Sequence, residues 1–305
     1  MDFQLTEDQV ALRGGVRDLL EGRFALRAAV DSGGGLDRGL WRELGTAGFF
    51  SLMLPEAEGG VGLGLPEAAL VFEEAGRVLL PGPAVSSFLA AGEVPGAASG
   101  EVVVTGVFGA LVPWLDEADV VLGDVEGAVP LRSVDPLTPL HRIPGSGGFA
   151  HPSPNSRLRS SRGGPTRPAG RLPEATLLVA AEQVGSAGHT LEMAVRYARE
   201  RTQFGQPIGG FQAVKHLCAQ MLVRVELARG AVYAAAVTGD VLEIAGAKLL
   251  ADDAAVCNAR DCLQVYGGMG FTWEADVHLH LKRAWVRAEL GPSAASAEEE
   301  LAAAL

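Results

Sequence analysis

The sequence predicts a mainly α-helical protein with a small β middle domain and a C-terminal four-helix bundle. Apolar residues recur at helical spacing before Val78 and again after Ala175, as in amphipathic helices. From Glu101 onward the chain instead carries short valine-rich runs that glycine and proline interrupt, which is typical of strands. We therefore predict an α-helical domain at 1–98, a reduced β domain at 99–173 and a helical bundle at 174–305.

Composition limits the classes of function. The chain of 305 residues has a net charge of −12 and 48% apolar residues, which argues against nucleic acid or an anionic membrane as partners. No apolar run reaches the roughly 18 residues that span a bilayer, and the first residues do not resemble a secretory leader. The three cysteines match no zinc spacing and are expected to be reduced, which favours a cytoplasmic location. His278 and His280 flank Leu279, do not share a helix face, and predict no metal site.

The N-terminal domain is predicted to contain three helices. Thr6 and Gln9 have the spacing of a capping box, which predicts a helix that starts there. A second helix is expected from Leu40 to Phe49, and a third over 67–78 after a glycine-rich loop. The apolar stripe of the first helix consists of Val10, Val16, Leu19 and Leu20.

The middle domain is predicted to contain short strands around apolar runs at 102–104, 107, 112 and 120–122. The segment 145–173 differs in kind, because it carries five arginines, many Ser, Pro and Gly, and no acidic residue. Such a segment has nothing to bury, so we expect disorder. A local reading-frame slip is one explanation for it, since out-of-frame GC-rich codons produce this composition.

Four long apolar stripes predict the helices of the C-terminal domain. Four consecutive helices of this length are typical of a four-helix bundle. The stripes run from Ala175 to Ala198, from Phe211 to Val232, from Val241 to Val265 and from Thr272 to Leu290.

The break between the first two of these helices is the first candidate site. Arg201 ends one stripe, Phe204 and Gly205 follow it, and a helix with Gln212 at its start begins after Pro207. An ordinary helix end explains these residues, because Arg complements the helix dipole, Gly permits the turn and Pro prevents continuation. The same residues also suit anion recognition, since a guanidinium offers a planar fork to a pyrophosphate and Phe can cover an adenine.

A second candidate site follows the third bundle helix. The run from Gln264 to Phe271 contains the adjacent glycines Gly267 and Gly268. It is interpreted either as a glycine-rich turn between helices or as a place where the backbone approaches a pyrophosphate closely. The glycine-rich run at 59–64 has no βαβ context and is not a dinucleotide fingerprint.

Together, the segments Arg196–Met221 and Gln264–Phe271 resemble the acyl-CoA dehydrogenase family, whose members desaturate acyl-CoA thioesters with FAD. The resemblance covers residues 1–95 and 175–290 and is poor in the middle domain. It implies an acyl-CoA dehydrogenase-like fold and a set of loop residues that contact the FAD of a neighbouring subunit. These residues are Arg201, Gln203, Phe204, Gln212, Gln264, Gly267 and Gly268.

The resemblance also locates the catalytic base, which must lie within hydrogen-bond reach of the substrate α carbon. Most family members carry a Glu on the loop after the last bundle helix, and that position is Gly291 here, which cannot take a proton. Some relatives place the base on the first bundle helix, where Ala175 aligns and Glu174 lies one residue away. Glu174 is therefore the candidate catalytic residue. Its alternative role is an acidic residue that favours the first turn of a helix.

The family's flavin-contacting segments of the middle domain are missing from this sequence. By resemblance to shortened actinobacterial subunits that pair as α2β2 tetramers, we expect an FAD-dependent dehydrogenase that works as one subunit of a heteromer. The implied partners are an acyl-CoA substrate, a second acyl-CoA dehydrogenase-like subunit, and an electron-transfer flavoprotein or similar acceptor. Three hypotheses stay open: an active homo-oligomer, a non-catalytic subunit that completes a partner's FAD site, and a damaged, inactive chain.

Overall fold

The computed structural model describes residues 4–144 and 172–304. In this part of the chain, helices flank a small region of short strands, as the sequence predicted. The N-terminal helices are α1 (Glu7–Arg23), α2 (Leu26–Asp31), α3 (Arg38–Thr46), α4 (Leu65–Arg77) and α5 (Ala84–Leu89). The strands that follow are β1 (Val104–Gly106), β2 (Leu111–Pro113), β3 (Val120–Leu122), β4 (Val129–Leu131) and β5 (Leu140–Arg142). The C-terminal elements are α6 (Leu172–Glu200), β6 (Thr202–Gln203), β7 (Gln206–Pro207), α7 (Gln212–Thr238), α8 (Val241–Tyr266), α9 (Val277–Ala288) and α10 (Ala294–Ala303).

The start of α1 confirms the predicted capping box. The Thr6 side chain accepts a hydrogen bond from the Gln9 backbone N–H, and the Gln9 side chain accepts one from the Thr6 backbone N–H. Leu20, near the other end of α1, is fully buried. Val10 is 50% exposed, so the prediction that Val10 belongs to the buried stripe was wrong. The first turn of α1 lies too far toward the helix end to reach the core.

Helix α3 ends three residues before the predicted end at Phe49. Gly48 has a φ of +84°, and the Phe49 N–H donates to the Leu44 carbonyl, which is the bond pattern of a Schellman cap. Phe49 and Phe50 are therefore not helical, yet both are buried and pack against each other edge to face. Apolar residues that continue past a glycine cap made the helix look longer in the sequence than it is.

Two short helices escaped prediction because six residues are too few to show a helical period. Helix α2 has no buried residue, whereas every residue of α5 is buried. Helix α5 follows Pro83 and lies against the middle region, where the Ser87 hydroxyl donates to the Val104 carbonyl. It therefore joins the N-terminal helices to the strands.

The middle region contains two small sheets. Strands β1 and β3 pair in parallel, and β2, β5 and β4 form an antiparallel sheet in that order. Strand β4 was not predicted, because its three residues are all exposed and it has Pro130 at its centre. Of the segment 145–173 predicted to be disordered, residues 145–171 lie outside the described residues. Leu172 and Pro173 already belong to α6, and Pro is tolerated there in the first turn.

Helices α6, α7, α8 and α9 form the predicted bundle, and α4 packs on α6 from the N-terminal side. Helices α4 and α6 pack closely because each contributes a glycine that lies against the backbone of the other. A Cβ on Gly76 would lie 1.9 Å from the carbonyl oxygen of Glu182, and a Cβ on Gly185 would lie 1.8 Å from that of Glu73. The described helices include none long and apolar enough to cross a membrane.

Substituting Gly185 with Ala is expected to destabilise the chain by about 1–3 kcal/mol, because the added methyl group forces two packed backbones apart. The matched control is Gly22→Ala in α1, where a Cβ meets nothing within 4 Å and Ala is the better helix former. Urea denaturation of both variants gives the two free energies of unfolding. Equal stability of the two variants would show that α4 and α6 can separate without cost.

Candidate functional site

The loop between α6 and α7 is a tight hairpin that displays an aromatic ring. Strands β6 and β7 pair across Phe204 and Gly205, both of which have positive φ, at +53° and +78°. This is the backbone of a type I′ turn, which glycine favours and a bulky residue such as Phe adopts only at a cost. Phe204 is nevertheless 91% exposed, and its ring lies edge to face with that of Phe211, with centroids 6.0 Å apart. The turn therefore holds Phe204 in an unfavourable backbone conformation although its side chain is not buried.

The glycine-rich run after α8 is open on its outer side. Gly267 ends the helix with a φ of +57°, and its N–H donates to the Gln264 carbonyl. A Cβ added to Gly267 or Gly268 would meet nothing within 4 Å. The positive φ at position 267 favours glycine there. At position 268 there is space for a side chain, so packing within the chain does not require glycine. The bare backbone at Gly268 therefore faces free space.

These two loops meet at an exposed groove of about 440 Å³. Arg201 and Gln203 enter it from the hairpin, and Gly267 and Gly268 enter it from the glycine-rich run. The other residues that line the groove are Tyr197, Ile208, Val265, Tyr266 and Met269. Among the described residues, the Arg201 guanidinium has no carboxylate within salt-bridge distance, so a positive charge beside open backbone is available to an anion.

Three of the predicted contact residues do not line this groove. Phe204 projects from the tip of the hairpin, Gln212 is the exposed first residue of α7, and Gln264 is exposed on α8. Sequence reasoning missed Tyr197 and Tyr266, whose rings stack at 4.1 Å and form one wall. Their positions contained a signal, since Tyr197 lies one helical turn before Arg201 and Tyr266 directly precedes Gly267.

The position predicted for the usual base lies beside α6. Gly291 is buried with a φ of +103°, and a Cβ built on it would come within 3.4 Å of the Thr176 hydroxyl. Glu174 precedes Thr176 by two residues, which corresponds to about 200° around the helix. Glu174 and Gly291 are therefore on different sides of α6. The structure does not bring the candidate base to the place where the family's loop carboxylate would act.

The interior beside Leu290, the last residue before Gly291, contains charged side chains that the sequence analysis did not single out. Arg287 of α9 reaches Glu182 of α6 at 3.0 Å, and Arg283 of α9 pairs with Asp135 of the middle region. All four residues are buried. The remaining cavity measures about 40 Å³, which is room for water and far below the volume of a ligand pocket.

Burial dominates the protonation of these pairs. Desolvation raises the pKa of Glu182 despite the nearby charge of Arg287, and it lowers the pKa of Arg287 to about 10. For Asp135 burial again opposes ionisation. The charge of Arg283, with hydrogen bonds from Thr138 and the Leu137 N–H, outweighs it and lowers the pKa. The two ion pairs join α9 to α6 and to the middle region.

Comparison with known proteins decides the family. The profile described as "Acyl-CoA dehydrogenase, N-terminal domain" matches residues 6–98, and "Acyl-CoA dehydrogenase, C-terminal domain" matches residues 163–294. The chain is 37% identical over 298 residues to acyl-CoA dehydrogenase IpdE2 of Mycobacterium tuberculosis, covering 93% of each protein. The chain belongs to the acyl-CoA dehydrogenase family. This confirms the family, the fold class and the class of oxidoreductase, acting on CH–CH bonds, that the sequence predicted.

Solved acyl-CoA dehydrogenase-like structures agree with this fold. A chain of the ChsE4-ChsE5 complex from Mycobacterium tuberculosis aligns with a TM-score of 0.80 and 23% identity, covering 99% of this chain and 98% of that one. A chain of PigA with FAD and proline aligns with a TM-score of 0.81 and 17% identity, covering 100% and 99%. At these identities the likeness concerns the fold. Proteins of this fold thus occur both as a complex of two different chains and as a protein that holds FAD.

Proposed function

We propose that this chain is one subunit of a heteromeric, FAD-dependent acyl-CoA dehydrogenase, in which it completes the FAD site of a partner subunit and performs no catalysis of its own. One contrast carries the proposal. The two loops that contain Arg201 and Gly267 form an open groove of about 440 Å³, while the interior beside Leu290 retains about 40 Å³ around two buried ion pairs. Under this proposal the open groove receives a neighbour's nucleotide, and the occupied interior beside Leu290 is too small there for an acyl-CoA thioester.

The groove fits the nucleotide end of FAD by its chemistry. The Arg201 guanidinium matches the charge of a pyrophosphate, and the open backbone at Gly267 and Gly268 allows close approach. Tyr197 and Tyr266, which form one wall of the groove, supply aromatic surface for a planar base. Bound flavin supplies the acceptor for the substrate's β hydride. This chain's part is to hold and orient the nucleotide that the partner carries.

The partner subunit then supplies what this chain lacks. It must contribute a carboxylate base, the cleft for the acyl-CoA thioester and the contacts to the isoalloxazine ring. The two-chain ChsE4-ChsE5 complex, which has the same fold, supports a division of roles between two unlike subunits. An electron-transfer flavoprotein or a similar acceptor would reoxidise the flavin of the assembled enzyme.

Within the chain itself, we propose the three domains 1–98, 99–173 and 174–305.

The test is FAD retention by the complex with a homologous subunit encoded beside this gene. Arg201→Gln should weaken FAD binding about 10- to 100-fold, because a charge-assisted contact contributes about 1.5–3 kcal/mol. The matched control is Arg199→Gln, an exposed arginine two residues earlier that does not line the groove. Visible absorbance of the purified complexes gives the FAD content, and FAD titration after removal of the cofactor gives the affinity.

Glu174→Gln separates this proposal from an active homo-oligomer. The variant complex should keep the kcat of the wild type, since Glu174 has no role in proton abstraction under the proposal. A yellow protein purified without a partner that dehydrogenates an acyl-CoA and loses activity on Glu174→Gln would overturn it. Colourless, inactive protein both alone and with the partner would support the damaged-chain hypothesis instead.

A further inference from the structure

A polar cavity of about 250 Å³ lies between the N-terminal helices and the bundle. We call it the arginine cavity, because four arginines from three helices line it. Arg13 and Arg17 come from α1, Arg77 comes from α4 and Arg229 comes from α7. Of the described residues, none lines both this cavity and the groove beside Arg201. A cavity of this size has room for about eight waters, or for a small ligand.

The carboxylates of the arginine cavity are fully engaged. Three glutamates line it, and each of their six oxygens accepts a hydrogen bond. The pairs are Arg17 with Glu74 at 2.7 and 2.8 Å, Arg77 with Glu192, and Arg229 and the Tyr233 hydroxyl with Glu73 at 3.0 and 2.6 Å. The cavity therefore has no free carboxylate to offer to a cation.

Three of the arginines keep N–H donors that have no partner among the described residues. Arg13 makes neither an ion pair nor a hydrogen bond there. The Nε of Arg77 is buried without a hydrogen-bond partner. Arg229 donates from Nε and Nη1 to glutamates, which leaves Nη2 over. Donors are thus in excess of acceptors, and they belong to three different helices.

Arg13 supplies the positive charge that no carboxylate neutralises. It is half-buried on α1. Burial and the charge of Glu73 raise the pKa of Tyr233, and the charges of Arg229 and Arg13 oppose this rise, so the charge of Arg13 reaches α7. Four arginines and three glutamates give the lining one net positive charge. Two further carboxylates pair with arginines of the cavity from its exposed outer side, Glu21 and Glu226.

Gly188 of α6 keeps part of the arginine cavity open. A Cβ on Gly188 would lie 3.4 Å from Nη2 of Arg229, the atom whose N–H groups are free. Packing of α4 against α6 explains Gly185, which also lines the cavity, but it does not explain Gly188. A side chain larger than alanine at 188 would occupy the space in front of this guanidinium.

We propose that the arginine cavity binds a phosphate group. Guanidinium groups form strong, charge-assisted hydrogen bonds with phosphate oxygens. A tetrahedral phosphate presents its oxygens in several directions, so it can accept from Arg13, Arg77 and Arg229 on three helices at once. A planar carboxylate presents both oxygens in one plane and satisfies fewer of them. The bound phosphate would connect α1 with α4 and α7.

This site goes beyond the proposed function, because it involves neither FAD nor the acyl-CoA. Its test measures phosphate, and the test of the proposed function measures FAD. The complex that contains the Arg13→Gln chain should keep its FAD, so each proposal can fail without the other.

The first experiment is equilibrium dialysis of the full chain with radiolabelled inorganic phosphate at constant ionic strength. The chain carries Arg201→Gln, so that the groove does not contribute a second phosphate. One phosphate per chain should bind with a Kd of about 1 mM or below. Adding Arg13→Gln should raise the Kd about 10-fold or more. Adding Arg23→Gln is the control, because Arg23 lies at the other end of α1 in an exposed pair with Glu43.

Filling the cavity gives a second variant with every charge in place. Gly188→Leu should abolish phosphate binding, and Gly22→Leu should not, because Gly22 is a helical glycine of α1 with open space beside it. Thermal unfolding without phosphate shows whether both variants fold. No binding to the Arg201→Gln chain, or equal Kd values for the Arg13→Gln and Arg23→Gln chains, would overturn the proposal.

Competition identifies the form of the phosphate. Displacement by glycerol 3-phosphate would show that the arginine cavity also accepts a phosphate ester, and no displacement would assign it to the free ion. Both results support a phosphate site. Acetate that displaces phosphate at the same concentration would contradict the preference for a tetrahedral anion.

Discussion

Arg283→Met is expected to lower the free energy of unfolding by about 3–5 kcal/mol, which is a large share of the stability of an ordinary domain. Arg283 is 4% exposed and pairs with Asp135, itself 2% exposed. It also donates to the carbonyls of Leu80 and Leu137 at 3.1 and 3.3 Å. One side chain therefore connects the end of the N-terminal helices, the middle region and α9. Its removal leaves a buried carboxylate and several carbonyls without their donor.

Two further variants separate the charge from the loss of packing. Arg283→Met combined with Asp135→Asn should recover more than half of the loss, because the amide oxygen can accept from the Leu137 N–H and the amide NH2 can donate to the Thr138 hydroxyl, with no buried charge. Arg38→Met removes an exposed ion pair with Asp119 and should cost about 0–1 kcal/mol. Urea denaturation measures all three. A cost of Arg283→Met as small as that of Arg38→Met would show that the three regions do not depend on this contact.

Acidification is expected to cost the chain about 3 kcal/mol of stability between pH 6.5 and 4 through His189, with a further loss through His280. The two rings stack at 5.2 Å, and His280 is hydrogen-bonded to the Ser186 hydroxyl at 2.8 Å. Burial, followed by the charge of Arg77, lowers the pKa of His189 to about 4. Burial and the neighbouring His189 lower the pKa of His280 well below its usual value. Both imidazoles are therefore neutral in the folded chain at neutral pH.

The sign follows from proton binding. Below pH 6.5 the unfolded chain takes up protons that the folded chain cannot, so stability falls as the pH falls and levels off near 4 for His189. His189→Gln and His280→Gln should flatten the pH dependence of the unfolding midpoint, whereas exposed His216→Gln should not change it. Chemical denaturation at several pH values gives the slopes. Parallel slopes for all four proteins would contradict the assignment.

The sequence was sufficient for the fold where local signals agree with the tertiary structure. The capping box at Thr6 and the apolar stripes of the bundle are local patterns, and both were confirmed. Phe49 misled because a buried aromatic after a glycine cap has the same spacing as a continued helix. Helix α10 carries no apolar stripe, and its one buried residue is Ala297. Nothing in its alanine- and glutamate-rich sequence distinguishes it from a solvated tail.

Sequence reasoning predicted the loops of the candidate site but not the buried ion pairs in the interior. Arg201 and Gly267 lie 66 residues apart and are nevertheless together in one groove, as the resemblance led us to expect. The filled interior was not foreseeable in the same way. Arg283 and Arg287 are spaced like surface charges on a helix, and their burial depends on Asp135 and Glu182 from distant parts of the chain. Pairing across such separations leaves no local pattern in the sequence.

The filled interior makes the proposed loss of catalysis hard to reverse. Replacing Gly291 with glutamate would strain a backbone that has a φ of +103° and would bring the new side chain against the Thr176 hydroxyl of α6. Emptying the space first would strand Asp135 or Glu182 and unfold the chain before any activity returned. Each of these changes would thus lower the stability of the chain without restoring activity by itself. A subunit without catalysis of its own is useful only together with its partner. We therefore expect the genes of the two subunits to be retained or lost together.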